Sequence, residues 1–151
     1  MNKRDKFIYF AGIIDGEGCI AVEKKFPSKR KKYPNYFARL IIVNTNLDLI
    51  EWISSNFKGK HYAKNGAKPN LQTCYAWYVF GKDLDEILKG ILEFSIVKKR
   101  QILNVLEFRK TVGKTGQHVS QEMRDIRDKL HLKSRYFNSL HKNPSALSPV
   151  S

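Results

Sequence analysis

Two acids separated by a glycine close the stretch Tyr9-Phe10-Ala11-Gly12-Ile13-Ile14-Asp15-Gly16-Glu17-Gly18. They are the residues best suited to chemistry. The apolar run before them reads as helix, and two glycines in four residues read as its end. Such a terminus offers a carboxylate and a bare carbonyl to a hard cation, which takes oxygen ligands. Ala11 and Gly12 are small enough to admit another helix at close range. The same spacing suits a tight helix-to-strand turn with two solvated acids, so the residues alone leave both readings open.

The elements that must position these acids follow from hydrophobic periodicity. Residues 5–14 read as a helix capped by Asp5, with Phe7, Ile8, Phe10, Ala11 and Ile14 apolar. Cys19 to Phe26 and Tyr36 to Val43 read as strands, joined by a basic, proline-bounded loop over 27–34. Asn46 suits the N-cap of a helix bearing Leu49, Ile50, Ile53 and Phe57, which Gly59 ends. Lys60 to Lys64 and Leu71 to Phe80 read as a second strand pair. Helices follow near 83–94 and 97–111, and a last one is capped by Ser120. The order α-β-β-α-β-β-α with extra C-terminal helices predicts an α+β fold. Its antiparallel four-stranded sheet would carry helices on one face and leave the other to solvent or ligand. One domain is expected over 1–142, with a loose tail over 143–151.

Composition narrows the partners. The chain has 151 residues, with 28 Lys and Arg against 14 Asp and Glu, a net charge of +14. An apolar content of 42% excludes a disordered basic tail. No apolar stretch approaches the ~18 residues of a spanning helix, so no membrane partner is expected. Two cysteines make no disulfide framework, and the N-terminus lacks a signal-peptide pattern, so an intracellular setting is expected. A folded domain this basic should meet a polyanion, nucleic acid first and an anionic membrane surface or ribosomal RNA as the plainer alternatives. Gly113-Lys114-Thr115 mimics the end of a phosphate-binding loop, but position 108 is Phe and no strand precedes it. The histidines and cysteines lack metal-site spacing.

Phe10 to Gly18, FAGIIDGEG, resembles the LAGLIDADG motif of homing endonucleases, with Phe10 in place of the usual leucine. That family accepts either acid at the penultimate position, so Glu17 fits. The resemblance extends to the element order and to the basic segment Lys98-Lys99-Arg100-Gln101, and weakens in the hairpin tips and after about residue 112. It implies a single-motif enzyme that acts as a homodimer through the motif helix. Phe7, Phe10, Ala11, Gly12, Ile14 and Asp15 would form the interface. It also implies Mg²⁺, with Mn²⁺ or Ca²⁺ able to substitute, held by the Glu17 carboxylate and the Gly16 carbonyl. Asn44, or Asn46 if the register slips, would hold the attacking water. Lys98 would stabilise charge at phosphorus, with Arg100 and Gln101 as lesser candidates. Asn44 equally suits a plain strand-to-helix cap, and Lys98 a solvated helix start. The implied reaction is a metal-dependent double-strand break in a long, pseudo-palindromic double-stranded DNA target, since a C2 dimer reads two related half-sites. No small-molecule substrate is expected, and an organelle is a fitting host.

On this resemblance the open sheet face forms a saddle over DNA, and strand alternation selects its residues. Ala21, Glu23 and Lys25 face the groove from the first strand, and Arg39 and Ile41 from the second. Seven basic residues and no acid lie from Lys24 to Arg39, and from this hairpin tip Ser28, Lys29, Arg30, Lys32 and Tyr33 are contact candidates. The second hairpin offers His61, Lys64, Asn65, Lys68, Gln72 and Thr73. Tyr75 and Trp77 share a face, either against DNA or buried. Two rivals use the same fold: an intron maturase that binds structured RNA, and a non-catalytic DNA-binding regulator. Retention of both Asp15 and Glu17 favours an enzyme.

Overall fold

A computed structural model describes residues 1–26, 28–64, 70–113 and 118–140. In chain order the elements are α1 (Lys3–Glu17), β1 (Gly18–Lys25), β2 (Asn35–Asn44), α2 (Leu47–Asn56), β3 (Lys60–Ala63), β4 (Tyr75–Val79), α3 (Gly81–Ile91), α4 (Lys99–Lys110) and α5 (Gln121–Leu140). The strands form one antiparallel sheet in the order β1-β2-β4-β3. The α+β architecture and its element order are those expected. No helix among the described residues is long and apolar enough to cross a membrane. The chain divides into two compact units, residues 1–19 with 39–99, and residues 20–38 with the described residues from Arg100 onward.

In the first unit, α1 begins earlier and ends later than its sequence suggests. Asn2, rather than Asp5, is the cap, its side-chain oxygen accepting the Asp5 N–H at 2.9 Å. The helix then runs through Gly16 to Glu17 instead of breaking at Asp15. Phe10, Ala11 and Ile14 are fully buried and hold the last turns in place. The exit comes at Gly18, whose amide donates to the Ile14 carbonyl. A Cβ at Gly18 would fall 2.8 Å from that oxygen, so the chain can leave tightly only as glycine.

An aromatic cluster fixes α1 on the sheet. Phe10 stacks on Phe57 at 4.1 Å and meets the edge of Trp77 at 5.6 Å. Leu40, Ile42, Ile50, Ile53, Leu84, Leu88 and Ile91 complete this core with no exposed area. A Cβ at Gly90 would collide with the Phe7 ring, so α3 lies directly on α1 there. Gly81, at φ +69°, turns the chain from β4 into α3 in a conformation open to glycine at no steric cost. Gly59 is tighter still, since a Cβ there would stand 2.5 Å from the Trp77 indole. Trp77 has no exposed area. Gly59→Ala is therefore expected to lower the stability by about 1–3 kcal/mol through overpacking. Urea unfolding checks this, and an unchanged midpoint would show that the indole can move.

Pairing fixes which residues share a face. Ile42 stands opposite Trp77 and Trp77 opposite His61, while Ile41 pairs with Tyr78 and Tyr78 with Lys60. Trp77 packs on α1, so its face is the helix side. The opposite face presents Arg39, Ile41, Tyr78, Lys60 and Tyr62.

In the second unit, β1 is an edge strand whose ladder groups would invite pairing with another chain. α5 closes that edge with side chains. Ser134 Oγ accepts the Val22 N–H at 2.9 Å, His131 Nδ1 donates to the Val22 carbonyl at 2.7 Å, and Asn138 donates to the Ile20 carbonyl at 3.0 Å. Positions 131, 134 and 138 share one helix face, as Ile20 and Val22 share one strand edge. Ser120 caps α5 through the Met123 N–H at 3.1 Å, as expected. Asn104 on α4 donates to the Leu130 carbonyl at 2.9 Å.

Candidate active site

The last turn of α1 carries Asp15 and Glu17 and no basic residue. Acids at this end are electrostatically misplaced, because the helix dipole already puts partial negative charge and unpaired carbonyls there. Sequences tolerate such a conflict where a compensating partner exists. For Asp15 the partner is in the same unit. Its carboxylate accepts the Ser95 hydroxyl at 2.6 Å, the Ile96 N–H at 2.7 Å and the Lys98 N–H at 3.0 Å. Glu17 is exposed, and no hydrogen bond or ion pair to it is seen among the described residues. It stands beside the exposed Gly16 with no internal compensation. A carboxylate and a helix-terminal carbonyl are hard oxygen donors that fit Mg²⁺ or Ca²⁺. No cluster of three or more His, Cys, Asp or Glu suited to a metal occurs among the described residues.

Asp15 is thus the anchor of the loop leading into α4, and the Lys98 backbone is bonded to the turn that ends in Glu17. Burial works to raise the Asp15 pKa, but the Ser95 hydroxyl and the amides of Ile96, Val97 and Lys98 outweigh it and hold the carboxyl below its usual value of 3.8. A depressed carboxylate contributes stability above its unfolded pKa and loses it as pH falls through the folded one. The native state should therefore weaken as pH drops below about 4, and Asp15→Asn should flatten that part of the profile. Thermal melts from pH 7 to pH 2.5 check this, and an unaltered acid limb in the variant would exclude Asp15 as a source.

Asn44 ends β2, and its side-chain oxygen accepts the Asn46 N–H at 2.8 Å. Asn46 in turn caps α2 through the Leu49 N–H at 3.1 Å. Both asparagines therefore serve the strand-to-helix turn, and Asn44 keeps its NH₂ end as a donor.

Several expected positions are corrected. Trp77 is buried on the helix side and cannot face DNA. Tyr75 and His61 share that side by register, and His61 Nδ1 is hydrogen-bonded to Ser54 Oγ of α2 at 2.8 Å. Ala21 is only 7% exposed, so β1 does not alternate cleanly. Phe10, Ala11 and Ile14 lie in the chain's own core rather than at an interface. Phe7 packs edge-on against Phe57 at 5.4 Å, and Asp15 is taken by the 95–98 loop. Besides its charged ends, α1 exposes Ile8, Tyr9, Gly12 and Gly16, and a Cβ at either glycine would meet nothing within 4 Å.

The remaining positions are accessible. Lys25, Ser28, Lys29, Arg30, Lys32 and Tyr33 are exposed, and Glu23 is half-buried. Arg124 lies 3.8 Å over the Tyr33 ring, fixing that side of the basic loop to α5. Lys24, counted in the basic run, is paired with Asp128 at 2.7 Å. In the first unit, Arg39 and Ile41 are half-buried on the open face, and Lys64, Gln72 and Thr73 are exposed. Asn65 and Lys68 lie outside the described residues, as does the 143–151 tail. Lys60, Tyr62 and Tyr78 were missed. They occupy the open face, opposite the side that Tyr75, Trp77 and His61 share by register. Tyr62 and Tyr78 meet at 5.9 Å, and Tyr78 stacks with Phe80 at 6.1 Å.

No family model and no curated protein matches the chain. Solved structures share its fold. The homing endonuclease I-CvuI in complex with its target, in the presence of calcium, matches with a TM-score of 0.68 and 19% identity over 92% of this chain and 94% of that one. The archaeal intron-encoded homing endonuclease I-Vdi141I, complexed with DNA, matches at 0.62 and 22% over 87% and 99%. The LAGLIDADG homing endonuclease I-SmaMI, bound to cleaved DNA, matches at 0.65 and 21% over 82% of this chain but only 42% of its own. The fold is that of the homing endonucleases.

Proposed function

We propose that this chain is a site-specific, divalent-metal-dependent DNA endonuclease of the LAGLIDADG kind that works as a homodimer. The observation that carries the reading is Glu17: an exposed, uncompensated carboxylate on the negative end of α1, beside the Gly16 carbonyl. Glu17 and Gly16 would hold Mg²⁺, which when bound supplies an activated water and neutralises charge at the scissile phosphate. Lys98, on the loop that Asp15 holds, would stabilise negative charge at phosphorus. The Asn44 amide donates to the attacking water. One such carboxylate per chain suits two copies around a two-fold axis, one for each strand of a pseudo-palindromic site. The open faces of α1 at Gly12 and Gly16 suit that contact.

The basic loop and the open sheet face would grip the duplex. Binding should weaken with salt at a log–log slope of about −0.9 per phosphate neutralised. Filter binding from 50 to 400 mM KCl measures the slope, and a flat response would remove the basic face from the interface. The deciding experiment incubates the protein with a randomised duplex library and Mg²⁺ and sequences the cut ends. Paired breaks at one recurring site support the reading, and absence of cutting sinks it.

The aromatic row Tyr62, Tyr78 and Phe80 favours a second reading, an RNA-binding splicing factor, because rings on an open sheet stack on unpaired bases. Splicing assistance that survives Glu17→Gln would select it.

A further inference from the structure

We propose that Ser95 is a positioning residue for the cleavage reaction: through Asp15 it fixes the 95–98 loop, and Lys98 with it, against the turn that ends in Glu17. The inference rests on the nuclease reading above. Ser95 lies between α3 and α4 and belongs to no motif, yet it is only 2% exposed. Its hydroxyl donates to Asp15 Oδ1 at 2.6 Å, and its amide donates to the Ile91 carbonyl at 2.9 Å. One residue thus joins the end of α3 to the end of α1. Asp15 Oδ2 takes the Ile96 N–H, and Oδ1 takes the Lys98 N–H as well. Both oxygens of one carboxylate are therefore occupied by a single four-residue loop.

Little else fixes that loop. The Ile96 and Val97 side chains are 87% and 48% exposed, so packing contributes little to its placement. Charge-assisted hydrogen bonds are roughly twice as strong as neutral ones, and among the described residues the Ser95 hydroxyl is the one side-chain donor seen on Asp15, the others being amides of the same loop. Without it, Asp15 keeps only backbone amides of residues 96–98, and the Lys98 backbone would be held less firmly against the turn that carries Glu17. Ser95 would touch neither DNA nor metal. Its effect is transmitted through Asp15.

The test compares wild type, Ser95→Ala, Asp15→Asn and the double variant on a duplex that the wild type cuts. Single-turnover cleavage should fall about 10- to 100-fold in Ser95→Ala, the usual scale for a group that orients a reacting one. DNA affinity should stay within about twofold. The double variant should be no slower than Asp15→Asn alone, because both changes remove the same link. Amide exchange at Ile96 and Lys98, read in the free protein, should accelerate in Ser95→Ala. Cleavage at the wild-type rate, or unchanged exchange, would overturn the proposal while leaving the nuclease reading intact. Additive losses in the double variant would overturn it too. If the wild type cuts no duplex, the nuclease reading falls and the catalytic role of Ser95 falls with it; the exchange data then still report whether Ser95 holds the loop.

Discussion

Glu17→Gln is expected to reduce single-turnover cleavage by at least about 10³-fold while leaving duplex affinity within a few-fold of wild type. A factor of 10³ corresponds to roughly 4 kcal/mol of transition-state stabilisation, the scale a catalytic metal ion supplies. The substitution is nearly isosteric and removes only charge. Glu17 is exposed and packs nowhere that a carboxamide would disturb. Removing an acid from the negative end of α1 relieves a repulsion and should stabilise the fold slightly, by about 0.3–1 kcal/mol. A folded, DNA-competent and cleavage-dead protein is therefore the expected result. Equal loss of binding and cleavage would instead mean that Glu17 shapes the interface. Cleavage at the wild-type rate would remove the metal site from this turn altogether.

Much of the fold was legible because amphipathic helices and their caps leave periodic marks. The stripe Leu49, Ile50, Ile53 behind Asn46 became α2 with that residue as its cap, and Ser120 likewise opened α5. The errors lie where periodicity is silent. Tyr75 to Phe80 is apolar at every position, so alternation cannot say which parity faces the helices. The stacking of Phe10 beside Trp77 decides it, and that contact joins residues 67 positions apart in the chain. The same ambiguity affects α1, which is apolar on nearly every side from Phe7 to Ile14. Its sequence does not say which side meets the chain's own core, and burial assigns Phe10, Ala11 and Ile14 there. His131, Ser134 and Asn138 carry no sequence mark of their role, and only the fold shows that they cap the edge of β1. The acids of the site were visible from their order and spacing. Ser95 was not, because a buried serine acquires its meaning only from the carboxylate that the fold brings to it.

Gly12→Gln is expected to move monomer stability and assembly in opposite directions. Glycine inside a helix costs about 0.5–1 kcal/mol relative to good helix formers. At Gly12 the chain itself gives no return for that cost, since a Cβ would meet nothing within 4 Å. A glutamine there should fit without strain and stabilise the isolated chain by up to about 1 kcal/mol. Gly16, one turn on, is open in the same way. Two open glycines four residues apart, flanked by the exposed Ile8 and Tyr9, have a physical reason if a second backbone packs against α1. A side chain at Gly12 would then hold the two helices apart. Sedimentation should show a dimer for wild type and a monomer for Gly12→Gln, and specific DNA binding should fall by more than about tenfold because a lone subunit reads one half-site. Thermal melting at low protein concentration separates the two effects, with the variant expected to melt no lower than a dissociated wild type. A variant that is stable and still dimeric would place the interface elsewhere. A wild type that stays monomeric, with and without DNA, would remove the two-fold arrangement from the proposed function.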